Sequence, residues 1–316
     1  EGARMKKLFL ILFVLVIAVV LVPPLISMTG ETDRRTYTTP EPDESRYREV
    51  TFSNDAAHLE LAGMLFLPEG DGPFPAAVII HGSGDSRREN RWYLTLTHYL
   101  QDQGIAVLLP DKRGSVKSAG DWRSSSMEDL AGDTAAALQF LDKEYADRIS
   151  TVGVIGLSQG GWIAPIVASG DNATEFVVNM VGSTLPAHDV LVYEETFNLR
   201  QAGFLPGVAD VIARLSTYIL RKVTQKEFWT AVGNFDPLPY WKNVEVPALA
   251  LFGGDDTNVP SYQSAEALRT LNHPNIKVMI FEGSGHALQD PPGNGDDYIR
   301  NEALEAISRF IFSVTP

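Results

Sequence analysis

Val152-Gly153-Val154-Ile155-Gly156-Leu157-Ser158-Gln159-Gly160-Gly161-Trp162 decides how this chain is read. Val152 to Ile155 is a short apolar run rich in β-branched residues, the mark of a buried strand, and a stretch of helical periodicity covers 159–169. Between them stands G-x-S-x-G. A strand that turns this sharply into a helix leaves no room for β-carbons beside the serine, so glycines flank it and the hydroxyl is pushed out at the end of the sheet. The plain alternative is a glycine-rich turn with Ser158 as a helix cap. Partners elsewhere in the chain decide between the two.

Outward from this turn, short apolar runs alternate with amphipathic stretches, the pattern of a mostly parallel sheet covered by helices. Strands are expected at Val50–Phe52, Leu59–Leu67, Ala76–Ile80, Ile105–Leu109, Val152–Gly156, Phe176–Met180, Ala248–Phe252 and Ile276–Phe281. Helices are expected over 92–103, 127–145, 159–169, 261–271 and 298–313. Residues 183–243 break the alternation. They show helical periodicity (Val211, Ile212, Leu215, Ile219) and no strand signal, so a helical cap inserted into the α/β core is expected there.

An activated serine needs a base and the base needs an acid. His286 follows the last expected strand, in a loop able to lean over the sheet edge, and its imidazole chemistry suits neutral pH. The loop Gly253-Gly254-Asp255-Asp256-Thr257-Asn258-Val259-Pro260 follows the seventh strand and supplies two carboxylates. Chain order serine, acid, histidine matches the order of the α/β-hydrolase triad. His81-Gly82-Ser83-Gly84 follows the third strand, where small residues let backbone amides approach a substrate oxygen.

With these motifs in place the chain from about residue 48 onward resembles the α/β-hydrolase superfamily. Leu61-Ala62-Gly63-Met64-Leu65, His81-Gly82-Ser83-Gly84, Asp111-Lys112-Arg113-Gly114 and Gly156-Leu157-Ser158-Gln159-Gly160-Gly161-Trp162 are similar to a bacterial esterase-like group related to prolyl-oligopeptidase-type and dienelactone-hydrolase-type enzymes. The resemblance implies the fold, an eight-stranded sheet flanked by helices. It also implies carboxylic ester hydrolysis by Ser158, Asp256 and His286, with the backbone N–H groups of Ser83 and Gln159 as oxyanion hole. Asp256 is preferred to Asp255 because the family's G-x-x-D-x-x-V-P loop aligns on Gly253, Asp256, Val259 and Pro260. One departure stands out: Val116 occupies a position where relatives usually carry a second glycine. The same triad serves peptidases, amidases and acyltransferases, and a catalytically silent binding protein can share the fold.

Composition narrows the partners. The 316 residues are 44% hydrophobic and 21% charged, enough for a full core. Forty acidic against twenty-six basic side chains leave a net charge of −14, which repels phosphate backbones and sets nucleic acid aside. Cysteine is absent, so thiolate nucleophiles and thiolate metal sites are excluded. No metal or nucleotide signature is present, and no cofactor is expected.

The N-terminal end reads differently. Leu8–Val22 is uninterrupted apolar sequence after Arg4, Lys6 and Lys7, and Pro23-Pro24 follows. Residues 1–30 are expected to be an uncleaved signal anchor, or a signal peptide cleaved near Ser27 to Thr29. Either way the basic residues stay inside and the remaining chain faces the extracytoplasmic side, anchored to the membrane or secreted. Residues 31–48 are rich in Thr, Glu, Asp, Arg and Pro and read as a polar tether. The expected organisation is therefore segment 1–30, tether 31–48, core 49–182, cap 183–243 and core 244–316, acting on a small-molecule ester.

Overall fold

The computed structural model describes residue 7 and residues 42–84, 87–170, 174–224, 226, 229–290 and 298–315. The anchor segment, Lys7 excepted, and residues 31–41 of the tether lie outside the described residues. Among those residues no helix is long and apolar enough to cross a membrane.

All eight expected strands form, as β1 (Arg48–Asn54), β2 (Leu59–Phe66), β3 (Phe74–Ile80), β4 (Ala106–Pro110), β5 (Ile149–Leu157), β6 (Val177–Met180), β7 (Ala248–Gly253) and β8 (Ile276–Phe281). They make one sheet in the order β1-β2-β4-β3-β5-β6-β7-β8. A tight turn joins β1 to β2, which forces antiparallel pairing, with Val50 opposite Gly63. β2 also runs antiparallel to β4, and the remaining pairs are parallel. At the edge, β1 is longer than its apolar run because Val50, Phe52 and Asn54 point inward while their neighbours face solvent. An edge strand needs only one buried face.

Helices α1 (Arg91–Asp102), α2 (Met127–Glu144), α3 (Gly160–Ala168), α4 (Ala187–Gln201), α5 (Pro206–Ile219), α6 (Leu238–Trp241), α7 (Ser261–Thr270) and α8 (Asn301–Val314) complete the fold. The period of two along each strand divides the core. Val78, Val154 and Ala250 pack with α2, α3 and α7, while Ala77, Ile155 and Leu251 pack with α1 and α8. Both sheet faces are therefore covered, and the C-terminal ends of the parallel strands are left to build a site. Between β6 and β7 the described backbone is helical, with α4 and α5 forming a pair and α6 following.

Val116 sits at φ 49°, in the left-handed region, with 58% of its surface exposed. A β-branched residue there costs about 1–2 kcal/mol that glycine avoids, against roughly 0.5–1 kcal/mol of extra chain entropy for glycine. Val116→Gly should therefore raise the melting temperature by about 1–3 °C, read by calorimetry.

Candidate active site

The elbow is built as the sequence requires. Ser158 has φ 53°, and a β-carbon on Gly156 would stand 2.2 Å from the Gly160 carbonyl oxygen. One on Gly160 would stand 2.1 Å from the carbonyl oxygen of Ile80. Neither contact is survivable, so the turn admits only glycine at those positions. The Ser158 hydroxyl meets His286 Nε2 at 2.9 Å, and His286 Nδ1 meets Asp256 Oδ2 at 2.8 Å. Three loops after β5, β7 and β8 thus converge on one hydrogen-bonded chain.

Asp256 is fixed before the histidine reaches it. Its side chain is fully buried, and Oδ1 accepts the amides of Asn258 at 2.8 Å and Val259 at 2.9 Å. The turn leaves Oδ2 alone to face the imidazole. Asp255 is exposed and stands outside this chain. Burial disfavours a charged His286, but the charge of Asp256, its hydrogen bond and the charge of Glu194 outweigh that, so the imidazole titrates above the ordinary histidine value.

The His81–Gly84 loop lies against the serine. A β-carbon on Gly82 would come within 3.3 Å of Ser158 Cβ, and the Gly82 amide donates to the Tyr93 hydroxyl at 2.8 Å. Among the described residues neither the Ser83 nor the Gln159 amide has a hydrogen-bond partner. His81 stands outside the Ser158–His286–Asp256 chain. Its Nε2 donates to the Pro110 carbonyl at 2.6 Å, and burial pushes its pKa down to about 4.

Sequence reasoning missed Lys112. The three consecutive charges of Asp111-Lys112-Arg113 are all buried, and each ties down a different element. Asp111 holds Arg88 through two hydrogen bonds, and Arg113 grips Asp133 from α2. Lys112 Nζ donates to the Gly82 carbonyl and to Gln159 Oε1, each at 2.9 Å, and lies 4.7 Å from the centre of the Trp122 ring. A peptide unit is planar and trans, so holding the Gly82 oxygen aims the Ser83 N–H the opposite way. The ammonium therefore fixes the direction of one of the two amides expected as oxyanion donors, that of Ser83, and holds the side chain of Gln159, which carries the other.

Glu194 and Tyr193, on α4, were also missed. Tyr193 donates to the Asp256 carbonyl at 2.9 Å, and Asn258 donates to Glu194 Oε1 at 2.9 Å. Burial, with help from the Asp256 charge, pushes the Glu194 carboxyl up despite His286 and Asn258. Glu194 also lines the cavity of about 390 Å³ that opens over Ser158 and His286. The aromatic wall of that cavity is Trp92, Tyr93 and Trp162, from α1 and α3. Trp229 and Trp241 are buried, Tyr218 faces solvent, and among the described residues no aromatic side chain between 183 and 243 lines this cavity. Among the described residues no group of three His, Asp or Glu side chains is placed to hold a metal ion.

Known proteins bear out the architecture. The esterase Pf2001 of Pyrococcus furiosus superposes with a TM-score of 0.63 at 18% identity, covering 91% of this chain and 95% of that one. Est1E of Butyrivibrio proteoclasticus gives a TM-score of 0.55 at 17% identity, over 84% of this chain and 98% of its own. In sequence, esterase EstD of Thermotoga maritima is 25% identical over 262 residues, which are 78% of this chain and 61% of EstD. The human acylamino-acid-releasing enzyme is 28% identical over 240 residues, 71% of this chain and 30% of that enzyme. The chain thus spans about three fifths of the first relative and about a third of the second. The family model described as serine aminopeptidase, S33 matches residues 72–196, and that described as BAAT / acyl-CoA thioester hydrolase C terminal matches residues 135–293, half of the chain. The sheet order, the elbow and this match agree: the chain belongs to the BAAT / acyl-CoA thioester hydrolase C-terminal family, within the α/β-hydrolase superfamily.

Proposed function

We propose that this protein is a serine hydrolase of small carboxylic esters, held at the extracytoplasmic face of a membrane by residues 1–30 and the tether 31–48, with residues 183–243 as a cap over the site. The observation that carries the chemistry is the Ser158–His286–Asp256 hydrogen-bonded chain at the floor of the cavity. Ser158 Oγ attacks the ester carbonyl carbon while His286 Nε2 takes its proton. The amides of Ser83 and Gln159 hold the negative oxygen that develops, and the imidazolium then gives its proton to the departing alkoxide. Water enters, gives a proton to the same nitrogen and attacks the acyl carbon, and as the bond to Ser158 Oγ breaks the imidazolium returns its proton to Oγ and the acid leaves. Esterase EstD supports the ester reading by its name and its match to 78% of this chain. The location is supported by the basic and apolar run of the N-terminal sequence.

The test is labelling by a fluorophosphonate, followed by turnover of matched aryl esters, acyl thioesters and anilides of one acyl group. Labelling at Ser158 with oxo-esters fastest is the expected result. Fastest turnover of thioesters or anilides would move the reading to a thioesterase or amidase, and absence of labelling would leave a silent binding protein.

The histidine also sets a pH dependence. The base must be neutral, and its pKa is raised, so kcat/KM should climb with pH through a midpoint above 6.5 and then level off. Glu194→Gln removes one of the charges that favour the imidazolium, so that midpoint should fall. An unmoved midpoint in the variant would mean that Glu194 does not act on the base.

A further inference from the structure

Helix α5 turns most of its large apolar side chains outward, while Ile212 packs with Ala209 and Ala213 against Leu199. Its buried face is made of Ala209, Ala213, Ser216 and Thr217, set against α4. At ~100° per residue, Val208, Val211, Leu215 and Tyr218 share an arc of about 80° on nearly the opposite side. Those four are exposed by 47, 65, 42 and 52%, and Leu205 just before the helix by 73%. Of the ten large apolar side chains exposed among the described residues, six fall between Leu205 and Val223. A helix held only by its own core would bury valine and leucine and expose alanine and serine, so this one keeps its apolar side for something else.

Charge identifies the occupant. From Ala209 to Glu227 the sequence holds four cations, Arg214, Arg221, Lys222 and Lys226, against two acids, Glu227 and Asp210, the second of them paired with Arg200, in a chain of net charge −14. An apolar helix face bordered by cations is the pattern of a helix lying in the headgroup region of an anionic bilayer. The tether permits it, since residues 23–41 span up to about 60 Å when extended, enough for any face of the domain to reach a bilayer entered at Val22. Helix α5 rests on α4, and α4 supplies Val190, Leu191 and Glu194 to the cavity, so this face lies one helix away from the site.

We infer that the outward face of α5, from Leu205 to Tyr218, docks onto the surface of an anionic membrane and holds the catalytic cavity beside it. The inference rests on the membrane attachment proposed above but is separable from it. Because the chain has no cysteine, Val211→Cys and, as a control on α8, Phe312→Cys each give a single labelling site. The full chain, labelled with an environment-sensitive fluorophore, is reconstituted into phosphatidylglycerol/phosphatidylcholine vesicles doped with a spin-labelled lipid.

The expected result is quenching at position 211 and little at 312, weakened when phosphatidylglycerol is omitted. Val211→Glu with Leu215→Glu should slow turnover of a vesicle-borne ester about tenfold or more while leaving a soluble ester unaffected. Flotation with the vesicles but equal quenching at both sites would overturn docking and leave the anchor standing. Binding that is lost in high salt, with position 211 still quenched at low salt, would uphold docking and reject the anchor. A blue-shifted label at 211 that the lipid quencher does not reach would mean that the face pairs with a second copy of the chain, and the inference would fall. No flotation at all would overturn both readings.

Discussion

Ser158→Ala and His286→Ala each lose about 10⁴–10⁶-fold in kcat on a small soluble ester, and the double variant loses little more than either one. The two act as a unit, because the serine is nucleophilic only while the imidazole takes its proton. Asp256→Asn is the more informative change. Oδ1 of Asp256 accepts two backbone amides, from Asn258 and Val259, so the carbonyl oxygen of an asparagine is kept in that position. Its NH₂ group then faces His286 Nδ1, where a carboxylate oxygen stood. Two donors cannot face each other, so the imidazole moves its proton to Nε2 and presents a donor to the serine. The base is lost by a change of tautomer, with a cost of about 10³–10⁴-fold in kcat. Asp255→Asn, at an exposed position, should stay within about threefold of the parent. Steady-state kinetics with melting curves on all four single variants check this. An inactive Asp255→Asn beside an active Asp256→Asn would move the acid by one residue.

The strands were legible because a buried parallel strand must be a short apolar run, and β3, β5 and β7 are little else. The elbow was legible because steric exclusion at Gly156 and Gly160 leaves a compositional trace. Lys112 was not, since a lysine after a strand reads as a solvated charge, and only the third dimension supplies the carbonyls that let it be buried. The available signal was three adjacent charges immediately following an apolar strand, a run that can be buried only if each is paired. Glu194 hid in a helix whose polar residues read as a solvent face. Helix α5 exposes the limit of periodicity itself. The spacing of Val211 and Leu215 announces an amphipathic helix, but it does not say which side faces the protein, and here the small residues do.

Lys112→Met should cost about 10²-fold in kcat while KM changes little. The methionine fills the same channel without a charge, so the nearby packing against Trp122 is kept and the hydrogen bonds to Gly82 and Gln159 are not. Without them the Gly82–Ser83 peptide loses the contact that fixes it, and the N–H proposed as an oxyanion donor is no longer aimed. Removing one such donor elsewhere is worth roughly 10²–10³-fold, and loss of its alignment approaches that. The ammonium also polarises the peptide it holds, which strengthens the opposite N–H as a donor. Arginine should not rescue, because a planar fork needs more room than the point charge it replaces. A merely structural lysine would lower stability and scatter both constants. The distinguishing measurement is therefore affinity for a trifluoromethyl ketone that forms a tetrahedral adduct, compared with affinity for the parent methyl ketone. Adduct affinity should fall in step with kcat in Lys112→Met while ground-state affinity holds. If both weakened together, Lys112 would be supporting the loop rather than aiming its amide.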